Sequence, residues 1–148
     1  MICKKIESCK EKSSRQKFSY SDPKGGGSKY FIKNANKTIF YKLEYEHCVF
    51  EKEEHSKKKC DLGIVTATNS YYIELKGSHV NDGIKQLLST IKATENCFKG
   101  LNKKARLIVS RVPDIKSTRN TKEYIALIKL INGPNHFVLK QNVYTENI

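Results

Sequence analysis

The chain has 148 residues, the size of one domain around one hydrophobic core, and 38% of it is apolar, with those positions clustered enough to build such a core. Its 28 Lys and Arg against 15 Asp and Glu leave a net charge of +13, which points to a polyanionic partner, nucleic acid first, or else to a solvated basic surface. No apolar run reaches the length of a membrane span and MICKKIESCK lacks the apolar stretch of a signal peptide, so the expectation is a soluble, cytoplasmic protein without membrane contact.

The first 29 residues are rich in Lys, Ser, Glu and Gly, and only Ile2, Ile6 and Cys9 hint at a helical stripe, so residues 1–29 are expected as a flexible basic segment. The run KGGGSK at 24–29 reads as a loop or hinge and lacks the spacing of a phosphate-binding loop. From residue 38 the chain alternates. Ile39, Tyr41, Leu43 and Tyr45 fall on one side, Phe40, Lys42, Glu44 and Glu46 on the other, a strand pattern that CVF at 48–50 continues after a turn or bulge. EKEEHSKKK at 51–59 is a charged loop, and strands are expected over 60–66 and 71–76 around a turn at 67–69. Ser78 is the expected N-cap of a helix whose Val80, Ile84, Leu87, Leu88 and Ile91 form one apolar stripe. ARLIVSR at 105–111 is an uninterrupted apolar run suited to a central strand buried on both faces, stopped by Pro113. A second helix over 118–131 offers Tyr124, Ile125, Leu127, Ile128 and Ile131 as its apolar face; Gly133-Pro134 breaks it, and HFVLK at 136–140 closes the fold as a strand. The order strand, strand, strand, helix, strand, helix, strand predicts an α/β single domain, a mixed β-sheet flanked by helices.

Five cysteines, at 3, 9, 48, 60 and 97, form no Cys-x-x-Cys, and the four His complete no zinc pattern. They are expected as ordinary thiols in a reducing compartment. Neither His47 with Cys48 nor His55 with Cys60 has a visible orienting partner for nucleophilic catalysis.

The chemistry concentrates in CDLGIVTATNSYYIELK at 60–76. With the turn centred on Ala67 and Thr68, antiparallel pairing sets Leu62 opposite Ile73, Ile64 opposite Tyr71 and Asp61 opposite Glu74. Alternation adds Lys76 to the face of Glu74, while Leu62, Ile64, Ile73 and Leu75 take the other face, toward the core. Two adjacent carboxylates repel each other unless a cation sits between them, and oxygen ligands so placed suit Mg²⁺ or Mn²⁺. Such an ion binds a phosphate oxygen and lowers the pKa of a coordinated water; a neighbouring lysine can orient or deprotonate that water, or neutralise transition-state charge. The set is equipment for cutting a phosphodiester, and the plain alternative is the solvated face of an edge strand.

This stretch resembles the PD-(D/E)XK nuclease superfamily, whose signature is an Asp at the start of one strand, (Asp/Glu)-x-Lys near the end of the next, and then a helix. Here these are Asp61, Glu74-Leu75-Lys76 and the helix from about 79. The resemblance runs over residues 38–111 and implies a restriction-endonuclease-like fold in a domain spanning 30–148. It implies a Mg²⁺- or Mn²⁺-dependent endonuclease that hydrolyses DNA rather than RNA and acts as a homodimer. Asp61, Glu74 and the Leu75 carbonyl would be the metal ligands and Lys76 the catalytic lysine. YYIELKGSHVNDGIKQLLSTI is similar to members in which Glu-Leu-Lys-Gly opens a helix carrying a glutamine; here Gln86 lies opposite the apolar stripe, free to meet nucleic acid or the active site, the alternative being a solvated glutamine. Arg111, at a strand end, is a candidate phosphate contact, the alternative being a strand-end arginine in solvent. Members often carry an extra Glu in the first helix. Glu7, Glu11, Glu44 and Glu46 are the candidates here, with Glu46 preferred because its strand should neighbour the hairpin. Cys60 stands where many members have proline. Two other functions fit the same features: a catalytically silent nucleic-acid-binding module, and a small subunit of a larger nucleoprotein or defence complex. The intact acid, acid and lysine set argues against the first.

Overall fold

The computed structural model describes residues 1–21, 26–52, 58–111 and 115–148, so part of the charged loop expected at 51–59, and Pro113, lie outside the described residues. The N-terminal segment is not the flexible tail that its composition predicts. It forms helix α1 (Ile2–Cys9), strand β1 (Glu11–Ser13) and strand β2 (Lys17–Ser21). An eight-residue helix is too short to persist alone in water. Helix α1 is held because Ile6 and Cys9 are buried and because two disulfides, Cys3–Cys97 and Cys9–Cys48, tie it to distant parts of the chain. The expectation of free thiols therefore fails for four of the five cysteines; Cys60 alone stays a thiol, and it is buried.

Seven further strands follow: β3 (Lys29–Lys33), β4 (Phe40–Glu44), β5 (Leu62–Val65), β6 (Asn69–Lys76), β7 (Asn102–Val109), β8 (Phe137–Gln141) and β9 (Val143–Asn147). Three helices join them: α2 (Val80–Thr94), α3 (Ile115–Arg119) and α4 (Lys122–Leu130). The main sheet has six strands in the order β1-β4-β5-β6-β7-β8, antiparallel from β1 to β6 and parallel from β6 to β8. A second sheet, which the sequence pattern did not announce, has the order β2-β3-β9. The molecule is a mixed α/β domain.

The single expected core is two apolar clusters, one on each face of the main sheet. One face carries Leu43, Tyr72, Ala105, Leu107 and Val109 against Ile84, Leu87 and Ile91 of α2 and Ile6 of α1. The other carries Leu62, Ile64, Ile73, Leu75 and Ile108 against Tyr30 and Ile32 of the small sheet. Where CVF was expected to extend a strand, Tyr45–Val49 makes a π-helical turn instead. Its Tyr45 ring stacks on Tyr72 with centroids 5.6 Å apart, and a Cβ on Gly63 would come within 2.5 Å of that ring, so only glycine fits there. The helix expected over 118–131 is two. Thr121 restarts the chain as the cap of α4, its Oγ1 accepting from the Tyr124 N–H at 3.2 Å, and Ile125 is 58% exposed rather than part of an apolar face.

Candidate functional site

The β5–β6 ladder has the register expected from the turn: Leu62 pairs with Ile73 and Ile64 with Tyr71. The turn holds it, with the Thr66 N–H donating to the Asn69 carbonyl at 2.9 Å and the Asn69 N–H to Thr66 Oγ1 at 3.0 Å. That register brings Asp61, just before β5, against the end of β6. The Asp61 N–H donates to Glu74 Oε1 at 3.1 Å, and Asp61 Oδ2 accepts from the Leu75 N–H at 3.0 Å. Lys76 Nζ stands 3.6 Å from Glu74 Oε2.

The surroundings differ from the expectation. Asp61, Glu74 and Lys76 alternate away from Leu62, Ile73 and Leu75, but the face they occupy is not solvated: it is the helix-covered face with its own apolar cluster. Both carboxylate residues are only 2% exposed, while the Lys76 side chain, at 27%, reaches toward solvent. Burial first, then the charge of Asp61, hold the Glu74 carboxyl well above the usual carboxylate range. The Lys76 ammonium and the Asp61 N–H pull it partly back, and the charge of Glu46 adds to the rise. Of the four upstream acids, Glu46 is the one that stands among the main charges acting on Glu74. It sits on the π-helical turn, which is fastened to the site by the Tyr45 N–H donating to the Asp61 carbonyl at 3.0 Å. Glu7 pairs with Lys10, and Glu11 and Glu44 with Lys42.

Gln86 does not lie opposite the buried side of α2. It is 8% exposed, and its Nε2 donates to the Lys59 carbonyl at 3.1 Å. Two more bonds from α2, invisible in the sequence, clamp the same segment: the Cys60 N–H donates to Thr90 Oγ1 and Lys59 Nζ to Ser89 Oγ, both at 2.8 Å. Together they hold the chain leading into Asp61. Helix α2 lies close enough to the sheet that a Cβ on Gly83 would meet Leu107 Cδ1 at 2.6 Å and Lys76 Cγ at 3.3 Å. The Lys76 carbonyl is fixed by the Ser28 hydroxyl and the Ser110 N–H, each at 3.1 Å. Arg111 is exposed just past β7, its N–H donating to the Gly77 carbonyl at 3.0 Å, at the strand end that carries Lys76. An open cleft of about 450 Å³ lies over this end, lined by Lys58, Lys76, Lys85, Gln86, Ser89 and one acid, Asp82.

The rival nucleophile pairs have no support. Cys48 is in a disulfide, His55 lies outside the described residues, and the Cys60 thiol is pushed up by burial and then by the Glu74 charge. Among the described residues no group of three or more His, Cys, Asp or Glu is arranged to hold a metal ion. A cation here would rest on Asp61 and Glu74 with backbone oxygen and water, a donor set that suits Mg²⁺, which commonly keeps several waters and takes one or two carboxylates. A cation there would offset the Asp61 charge, which after burial is the second cause of the raised Glu74 carboxyl. No protein-family model, curated protein or solved structure matches the chain.

Proposed function

We propose that the protein is a Mg²⁺- or Mn²⁺-dependent endonuclease that hydrolyses phosphodiester bonds, with DNA as the substrate. The observation that carries the reading is the convergence of Asp61, Glu74 and Lys76 at one end of a hairpin, beside a cleft that holds three lysines and one acid. The order α1, β4, β5, β6, α2, β7 also supports it, since it follows the core order of the superfamily that the motif resembles, with β1 to β3 added after α1. Asp61 and Glu74 would hold a divalent ion, which when bound would supply Lewis-acid polarisation of a phosphoryl oxygen and a water of lowered pKa. The chain does the rest. Glu74 is held by the Asp61 N–H, and Asp61 by the N–H of Leu75 on β6. Lys76, the least buried of the three, brings its ammonium to the mouth of the cleft, where it neutralises charge that develops on the phosphorus oxygens. Lys58 and Lys85 draw the phosphate backbone there.

A catalytically silent nucleic-acid-binding module is the second reading, favoured by one observation. Carboxylates that are 2% exposed and bonded across a hairpin can serve as a structural network without chemistry. The two readings separate in a cleavage assay on plasmid DNA and RNA with Mg²⁺ and with EDTA. Glu74→Ala and Lys76→Ala should each lower cleavage about a hundredfold or more, and the double variant little further, because groups acting as a unit are not additive. Cleavage that survives unchanged in Lys76→Ala would place the chemistry elsewhere, and a wild type that cuts no substrate would leave the silent module.

A further inference from the structure

The small sheet has one face on the main sheet and one in solvent. Tyr30 and Ile32 of β3 turn inward at 0% and 2% exposure, so Lys29, Phe31 and Lys33 point outward from the middle strand. The register sets Ser19 of β2 and Thr145 of β9 on either side of Phe31. Both neighbours are small, and Phe31 between them is half-buried rather than fully covered. The row toward one end is Lys17, Lys33 and Asn147; the row toward the other is Ser21, Lys29 and Val143. These three rows contain three lysines and no acid. Lys17 is directly opposite Lys33, and like charges so placed weaken a sheet, a cost that a bound anion removes. None of the three lysines has an ion-pair partner among the described residues, and Phe31 belongs to neither apolar cluster.

We infer that this face binds single-stranded nucleic acid, with a base stacked on Phe31 and backbone phosphates at Lys17, Lys29 and Lys33. An aromatic ring on a flat sheet accepts any unstacked base, because every base has a π-face, and lysines around it neutralise the phosphates. A duplex hides those base faces in its own stack, and an acidic peptide would satisfy the lysines while leaving the central ring without a purpose. The Lys29 end of the platform adjoins the end of β6, since the Ser28 hydroxyl donates to the Lys76 carbonyl. The inference does not depend on the nuclease reading, because no residue of the platform belongs to the Asp61, Glu74 and Lys76 set.

The test is fluorescence anisotropy with a labelled oligothymidylate and its RNA counterpart, each about ten nucleotides long, on the full chain in EDTA. Phe31→Ala should weaken binding roughly tenfold or more, and Phe31→Tyr should keep it, as stacking requires. Lys17→Gln combined with Lys33→Gln should flatten the dependence of log K on log salt by about 1.4, at about 0.7 per phosphate contact on a single strand. Melting temperatures close to wild type show that the outward-facing substitutions leave the fold intact. Binding in EDTA and in Lys76→Ala should persist, so failure of the catalytic reading leaves this one standing. An affinity indifferent to Phe31→Ala overturns the inference. So does concentration-dependent self-association that Phe31→Ala dissolves in a chain that binds no oligonucleotide, which would make the face a contact between copies.

Discussion

Glu74 carries the tension of the site, because a carboxyl group is buried there beside another. An ordinary glutamate titrates near pH ~4.3, and in the fold this one titrates well above it, through burial first and Asp61 second. The folded chain therefore holds the proton more tightly than the unfolded one. The stability from this group is fully present below the ordinary value and is lost as pH rises through the raised one. Glu74→Gln stays neutral throughout. In EDTA it should melt above the wild type at pH 8, and the gap should close toward pH 4. Thermal denaturation across that range decides the matter, and a gap of equal size at both ends would remove the burial argument. Millimolar Mn²⁺ should raise the melting temperature of the wild type by mass action and leave that of Asp61→Asn where it was.

Among the elements, α1 depends most on the rest of the chain. It has eight residues, buries only Ile6 and Cys9, and is bonded to residues 94 and 39 positions away. Cross-links that close loops of this length typically add about 2–4 kcal/mol each. Replacing Cys9 and Cys48 together by serine should lower stability by an amount in that range, read from urea denaturation. A thiol titration of the denatured, unreduced chain should count one group, Cys60. Five would refute the pairing and restore the expectation of ordinary thiols. The hairpin, by contrast, is a local object. Its register was legible because the turn at Thr66–Asn69 and the alternation on both sides lie within one short stretch. Helix α2 was legible for the same reason, apart from Gln86. The stripe of Val80, Ile84, Leu87 and Ile91 predicted a narrow contact, whereas packing beneath the 58–61 segment widened the buried side to take in Gln86 and Thr90.

At the scale of the molecule, the two sheets are joined by a buried ion pair. Arg106 of β7 donates from Nε to Glu146 Oε1 at 2.7 Å and from Nη2 to Oε2 at 3.1 Å, and both residues are almost fully buried. Tyr30 and Tyr144 of the small sheet donate their hydroxyls to the same carboxylate, and Arg106 Nη1 donates to the Ala105 and His136 carbonyls. Removing one partner of such a pair leaves an uncompensated buried charge, which costs about 3–5 kcal/mol. Glu146→Ala should therefore lower the urea midpoint sharply without touching Asp61, Glu74 or Lys76. A loss under ~1 kcal/mol, in the range of exposed pairs, would mean that the sheets are held by apolar contact alone.

The sequence by itself determined the β5–β6 hairpin, the strand β7, the main stripe of α2 and the meeting of Asp61, Glu74 and Lys76, because each rests on periodicity and on partners few residues apart. Only the tertiary structure decided what covers each face. Alternation along β6 tells which side chains share a side, but Tyr72, Glu74 and Lys76 could equally have faced water until α1, the π-helical turn and α2 closed over them. The disulfide partners, the Arg106–Glu146 pair and the pairing of β3 with β9 lie beyond any local pattern for the same reason. Their partners are 39 to 114 residues apart in the chain, and nothing in the neighbourhood of one names the other until folding brings them together.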